Sequence, residues 1–231
     1  AIQLNTDRIV TFSYAHVPSI LPRQKILENI GFPSAEEKAE MYENAYKKFT
    51  QAGYVAIGMD HFCRPNDEFY LALKNNQLHR NFQGYCTTKT TGQVYGFGAS
   101  SISQLSSAYS QNVKNAAQYI KKIKEKNTAV LRGYKLNKNE KIIRDVINSI
   151  MCNYYVDFSE ISERYNTNSK NVKEILDFKN EKFNDFLDLN LMRIKDDSIS
   201  ISQNARLFIR NIAMEFDPLL NNKIGTYSKT I

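Results

Sequence analysis

An α/β domain followed by a mostly helical, winged-helix-like module is the architecture this sequence predicts. Three observations predict it. A strand–helix–strand succession occupies residues 8–59, amphipathic helical periodicity takes over beyond about residue 127, and a short two-strand alternation brackets residues 195–198.

Arg8-Ile-Val-Thr-Phe-Ser-Tyr14 is short, β-branched and aromatic, as a buried strand requires, and Pro18 then forces an extended or turning chain. Ser34-Ala-Glu-Glu37 has the spacing of a capping box. The helix it opens carries Met41, Ala45 and Phe49 on one face and stops at Gly53. Tyr54 to Met59 reads as a second buried strand, so a βαβ unit with two parallel strands is expected, and Asp60–Asp67 becomes the loop at its carboxyl end. A short helix over 68–74, a strand over 82–88 and a further one over 94–97 follow. Gly96 to Ile102 then turns the chain, and a lysine-rich helix over 111–126 closes the first domain, residues 1–126.

The second domain, residues 127–231, begins with an amphipathic helix over 140–152 that buries Ile142, Ile143, Val146, Ile147 and Ile150. Asp157 to Glu160 offers another cap, and one or two helices are expected over 172–189. Met192 and Ile194 alternate opposite Ile199 and Ile201 about Lys195–Ser198, a hairpin, and a last helix over 203–216 stops before Pro218.

Bulk properties narrow the function. With 231 residues, 42% of them hydrophobic and 24% charged, the chain has enough apolar material for a sizeable core. Its apolar runs fall well short of the ~20 residues that span a bilayer, so no membrane partner and a cytoplasmic location are expected. Three cysteines far apart in sequence argue against a disulfide framework or a thiolate cluster site. A net charge of +7 favours anionic partners. The run Lys121-Lys122-Ile123-Lys124 is most simply a solvated helix face, and no base-reading motif accompanies it, so no nucleic-acid role is expected.

Chemistry is expected where three loops converge: residues 14–16, 58–65 and 80–84. Asp60, His61 and Cys63 are metal-ligand types, but three ligands so close together seldom point at one centre and no fourth is evident. A hydrogen-bonded structural His61 is therefore favoured, and no metal site is assigned. Arg64 and Arg80 are candidates for binding carboxylates through paired, charge-assisted hydrogen bonds, with plain surface arginines as the equal alternative. Gly96-x-Gly98 suits a close backbone approach to a ligand, though it lacks a dinucleotide-binding context.

The strings Gly58-Met-Asp-His-Phe-Cys-Arg-Pro-Asn-Asp-Glu68 and Leu78-His-Arg-Asn-Phe-Gln-Gly-Tyr85 closely resemble the signature of oxygen-independent coproporphyrinogen III oxidases. Tyr14–Pro18, Gly96–Ser103, Arg144–Ile147 and Arg210–Ile212 match in the same order. The resemblance implies the C-terminal half of such an enzyme: the C-terminal portion of a radical SAM, TIM-like barrel followed by the helical module, which caps the active site. It implies a [4Fe–4S] cluster and S-adenosyl-L-methionine (AdoMet), with oxidative decarboxylation of two propionates of coproporphyrinogen III to vinyl groups, giving protoporphyrinogen IX in heme biosynthesis. It further implies an electron donor and acceptor as partners. Ala15 and Ile102 fall at AdoMet-contacting positions, and Phe82 and Gln83 at positions important for activity. Arg64 and Arg80 remain candidates by charge and loop position. The family's Cys-x-x-x-Cys-x-x-Cys motif is absent and is expected upstream of residue 1, so the 231 residues are expected to be inactive alone. They are also expected to self-associate through an exposed sheet edge. The alternative is a heme-binding radical SAM relative acting as a heme chaperone.

Overall fold

The computed structural model describes residues 1–88 and 93–220. Strand β1 (Arg8–Val10) leads through a largely exposed segment, which includes a 3-10 helix over Pro22–Asn29, to helix α1 (Ala35–Gln51). The capping box forms as the sequence predicts. Ser34 Oγ accepts from the Glu37 N–H at 3.2 Å, and the Glu37 carboxylate accepts from the Ser34 N–H at 2.8 Å. Gly53, at φ +83°, then releases the chain into β2 (Val55–Ile57).

The parallel direction expected of β1 and β2 is present, but the two strands are not adjacent. His61–Cys63 forms a strand, β3, which lies between them in the order β1-β3-β2 and pairs antiparallel with both. β1 and β2 therefore run the same way without touching, and His61–Cys63 within the expected loop 60–67 is strand. Local closure explains this. Gly58 adopts φ +57° and turns the chain directly from β2 into β3, a far shorter connection than a helical crossover.

Asp67 caps α2 (Glu68–Lys74) by accepting from the Phe69 N–H at 2.8 Å. The hairpin of β4 (Leu78–Asn81) and β5 (Gly84–Thr87) follows, so the strand expected over 82–88 begins two residues late and Phe82-Gln83 form the turn. Strands β6 (Ile102–Gln104) and β7 (Ala108–Asn112) come next. The expected long helix starts only at Ala116, because residues 108–112 are in β7 and the Asn115 side chain caps α3 (Ala116–Lys126), accepting from the Gln118 N–H. Strand β8 (Val130–Lys135) completes the antiparallel sheet β6-β7-β8, which therefore crosses residue 127.

The helical part comprises α4 (Lys138–Asn153), β9 (Tyr155–Asp157), α5 (Phe158–Arg164), α6 (Ser169–Ile175), α7 (Asn184–Asp188), β10 (Met192–Lys195), β11 (Ser198–Ile201) and α8 (Ile209–Met214). The predicted hairpin is present as β10-β11, with β9 added along β11. Here lies the largest core, in which Ile142, Val146, Ile150, Phe183 and Phe216 are fully buried. At 25 cal/mol per Å², burial of each such side chain contributes about 1.5–3 kcal/mol.

Three tyrosines sew this core to the first sheet at the Gly58–Met59 turn. Tyr154 Oη donates to the Gly58 carbonyl at 2.8 Å, Tyr42 Oη donates to the Met59 carbonyl at 2.9 Å, and Tyr85 Oη accepts from the Met59 N–H at 3.1 Å.

Candidate functional site

The β4-β5 hairpin builds the site. Asn81 Oδ1 accepts from the Gln83 N–H at 2.9 Å, an Asx turn that fixes the tip, and Gly84 takes φ +137°, which L side chains rarely adopt. The Phe82 N–H donates to Gln104 Oε1 at 3.0 Å, docking the tip on β6. Phe82 is left 44% exposed, unlike the tyrosines beneath it.

Beside Phe82 opens a cavity of about 440 Å³, walled by Arg80, Arg144 and Arg210 and floored by Ile147 and Met151. A second lobe of about 380 Å³ adjoins it, and Tyr109, Arg144, Asn148 and Asp217 line both. Five elements meet here: β4, β6, β7, α4 and α8. The charge is unbalanced. Among the described residues neither Arg80 nor Arg210 has a carboxylate within salt-bridge distance, and Arg80 rests on the Tyr85 ring at 5.3 Å. Arg144 is anchored, donating to Asp145 Oδ1 at 3.3 Å and to the Ser106 carbonyl at 2.9 Å. Burial works against its charge, but Asp145 and Tyr109 more than offset this and hold its pKa above the usual arginine value. Guanidinium groups around an apolar floor, one of them anchored, suit an apolar ligand with peripheral carboxylates.

The predicted site residues separate. Arg80, Phe82 and Gln83 lie on one hairpin, and Ile102 sits two residues from Gln104 on the strand that receives it. Arg64 is not brought to the cavity. It donates to the Ala52 carbonyl at 3.0 Å and to Asn5 Oδ1, and stacks over Tyr54 at 3.9 Å. Ala15 is exposed, and its carbonyl accepts from Gln24 Nε2 at 3.0 Å. It is flanked by an aromatic group of Tyr14, His16 and Phe32. No hydrogen bond, ion pair or ring contact among the described residues joins this group to the cavity. The segment does start from the same corner, because the Thr11 N–H donates to the Asp60 carbonyl at 2.7 Å. His61, hydrogen-bonded to Asp60 Oδ1 at 2.6 Å, packs edge-on to Tyr85. Gly96 makes its close approach to the protein's own chain: a Cβ there would stand 2.7 Å from the Ile102 carbonyl.

Arg144 and Arg210 carry no role in the sequence reading, although both belong to strings that match the oxidases in order. Their signal is a charged residue beside the apolar stripe of a helix, which periodicity alone reads as solvent-facing.

Among the described residues no group of three His, Cys, Asp or Glu side chains is arranged to hold a metal ion. Burial raises the Cys63 thiol to about 11 and pushes that of Cys152 far higher, so both are protonated. These residues do not fit an iron–sulfur cluster.

No family model matches the chain. Comparison with solved structures places the mixed α/β fold beside a radical SAM enzyme, the coproporphyrinogen III oxidase of Escherichia coli. The TM-score is 0.85 at 35% identity, covering 94% of this chain and 49% of that one. Curated relatives agree: the chain is 36% identical over 222 residues to the oxygen-independent coproporphyrinogen III oxidase of Salmonella typhimurium and 37% identical over 228 residues to that of Synechocystis, in each case over 96% of this chain. The Helicobacter pylori enzyme is 34% identical over the whole of it. The chain spans about half the length of these relatives, 47–50%. Its resemblance to oxygen-independent coproporphyrinogen III oxidases is thus borne out over nearly the whole chain, at 34–37% identity.

Proposed function

We propose that this chain is the substrate-holding half of an oxygen-independent coproporphyrinogen III oxidase, acting in the cytoplasm. The observation that carries the reading is the cavity beside the Phe82-Gln83 turn, with three arginines around an apolar floor. Coproporphyrinogen III is an apolar macrocycle with four propionates, and Arg80, Arg144 and Arg210 would pair with these while Phe82 packs on a ring edge. Each of two propionates would lose CO₂ together with a hydrogen atom, for which bound AdoMet would supply the acceptor radical, and an electron, which an external acceptor would take, leaving a vinyl group and giving protoporphyrinogen IX. Arg64, occupied within the protein, supports the frame.

We read residues 1–126 as the C-terminal portion of a radical SAM barrel and residues 127–231 as a winged-helix-like cap over the cavity. Ala15 and Ile102 are the proposed AdoMet contacts. A [4Fe–4S] cluster would be held by residues outside these 231.

The test is anaerobic turnover of coproporphyrinogen III by the full-length polypeptide containing these residues, with products separated by chromatography. Protoporphyrinogen IX is expected, and Phe82→Ala should lower kcat/KM by about tenfold or more at unchanged melting temperature. Tight heme binding without decarboxylation would overturn the reading in favour of a heme chaperone. Radical cleavage of AdoMet by the 231 residues alone would overturn the division of labour.

A further inference from the structure

Among the described residues the cavity holds a carboxylate without an ion-pair partner as well as two such arginines. Asp217 lines both lobes, yet no arginine or lysine among the described residues lies within salt-bridge distance of it. Its Oδ1 accepts the Leu219 N–H at 2.9 Å, and no described group bonds its second oxygen. The other carboxylate on these walls, Glu140, is already held by Tyr134 Oη and the Asn137 N–H. Asp217 is also rigidly placed. Phe216 beside it is fully buried against Phe183, ring centroids 4.8 Å apart, and Pro218 restricts the backbone on its other side.

Arginines and a carboxylate that share one cavity without pairing suit a ligand that offers acceptors at its rim and donors elsewhere. A tetrapyrrole at the porphyrinogen level is such a molecule: carboxylates at its periphery and four pyrrole N–H groups at its centre, free to tilt toward one face because the ring is not conjugated. We propose that Asp217 accepts pyrrole N–H hydrogen bonds and so orients the macrocycle, while the arginines take its propionates. This rests on the proposed substrate class and deepens it: Asp217 is a positioning residue that selects the reduced, N–H-rich ring over the flat oxidised one. The oxidised porphyrin keeps only two N–H groups, confined near its plane, and cannot present them to a carboxylate at the cavity wall.

The test compares anaerobic binding of coproporphyrinogen III and coproporphyrin III to the full-length polypeptide, by equilibrium dialysis, for wild type, Asp217→Asn, Asp217→Ala and Arg210→Ala. Wild type should prefer the porphyrinogen. Both Asp217 variants should lose about tenfold of that preference, the size of one charge-assisted hydrogen bond, while still binding the porphyrin. Arg210→Ala should weaken both ligands alike. If wild type binds neither tetrapyrrole, the proposed function itself fails. If wild type prefers the porphyrinogen and the Asp217 variants prefer it equally, only the role of Asp217 falls. Melting temperatures within a degree or so of wild type confirm that each variant is folded, and Asp217→Asn, being isosteric, decides the matter if the alanine variant melts early.

Discussion

At the scale of single residues, hydrogen-bond bookkeeping separates side chains that look alike in sequence. Arg64 and Arg80 both sit near strand ends. Arg64 is engaged by Ala52, Asn5 and Tyr54, whereas Arg80 lines the cavity. Below the cavity, Asp145 gathers Arg144, Arg164 at 3.2 Å and the Tyr165 hydroxyl at 2.8 Å, and so holds one wall in place. His79 on β4 senses this region. Burial, the largest effect, lowers its pKa from 6.5; Asp145 opposes the shift and Arg144 adds to it. The unfolded chain therefore binds a proton at this site that the folded protein refuses. His79 thus adds its full stability above pH 6.5, and loses it as pH falls from there toward the depressed folded value. Urea unfolding midpoints should decline between pH 7.5 and 5.5 more steeply for wild type than for His79→Gln; parallel declines would refute the assignment.

At the scale of elements, two turns position the site. The β4-β5 hairpin presents Phe82, and the β2-β3 turn at Gly58 supplies the surface on which the hairpin and α4 are seated. A Cβ at Gly58 would stand 1.9 Å from Tyr85 Oη, on a backbone already at φ +57°. Gly58→Ala is therefore expected to cost about 2–4 kcal/mol, combining left-handed strain with displacement of a buried tyrosine. Denaturant titration of the variant beside wild type measures this, and a loss below about 0.5 kcal/mol would show that Tyr85 can move aside freely.

At the scale of the whole molecule, apolar surface is distributed unevenly. The helical core is closed, but residues between β1 and α1 leave Phe12, Ile20 and Ile30 more than 70% exposed, and edge strand β8 exposes Leu131 at 59% and Tyr134 at 56%. An unpaired strand edge with apolar neighbours favours pairing with another copy. The net charge of +7 opposes this at low salt through mutual repulsion. Sedimentation of the 231-residue chain should show mass above 26.7 kDa, increasing with salt. A monomer at every ionic strength would exclude self-association. Among the described residues no helix is long and apolar enough to cross a membrane.

Local signals were legible in the sequence because they act over a few residues. The Ser34–Glu37 capping box, the apolar face of α4 and the β10-β11 alternation are each decided by neighbours within one turn or one hairpin, and all three are present in the fold. The strings around Phe82 and Gln83 likewise pointed to coproporphyrinogen oxidases before any geometry was known. Only the tertiary structure decided that β3 separates β1 from β2, that Arg64 is consumed internally, and that Arg80, Arg144, Arg210 and Asp217 share one cavity. Those four residues span more than a hundred positions, and which of them meet depends on how packed elements cross, a property no local periodicity encodes.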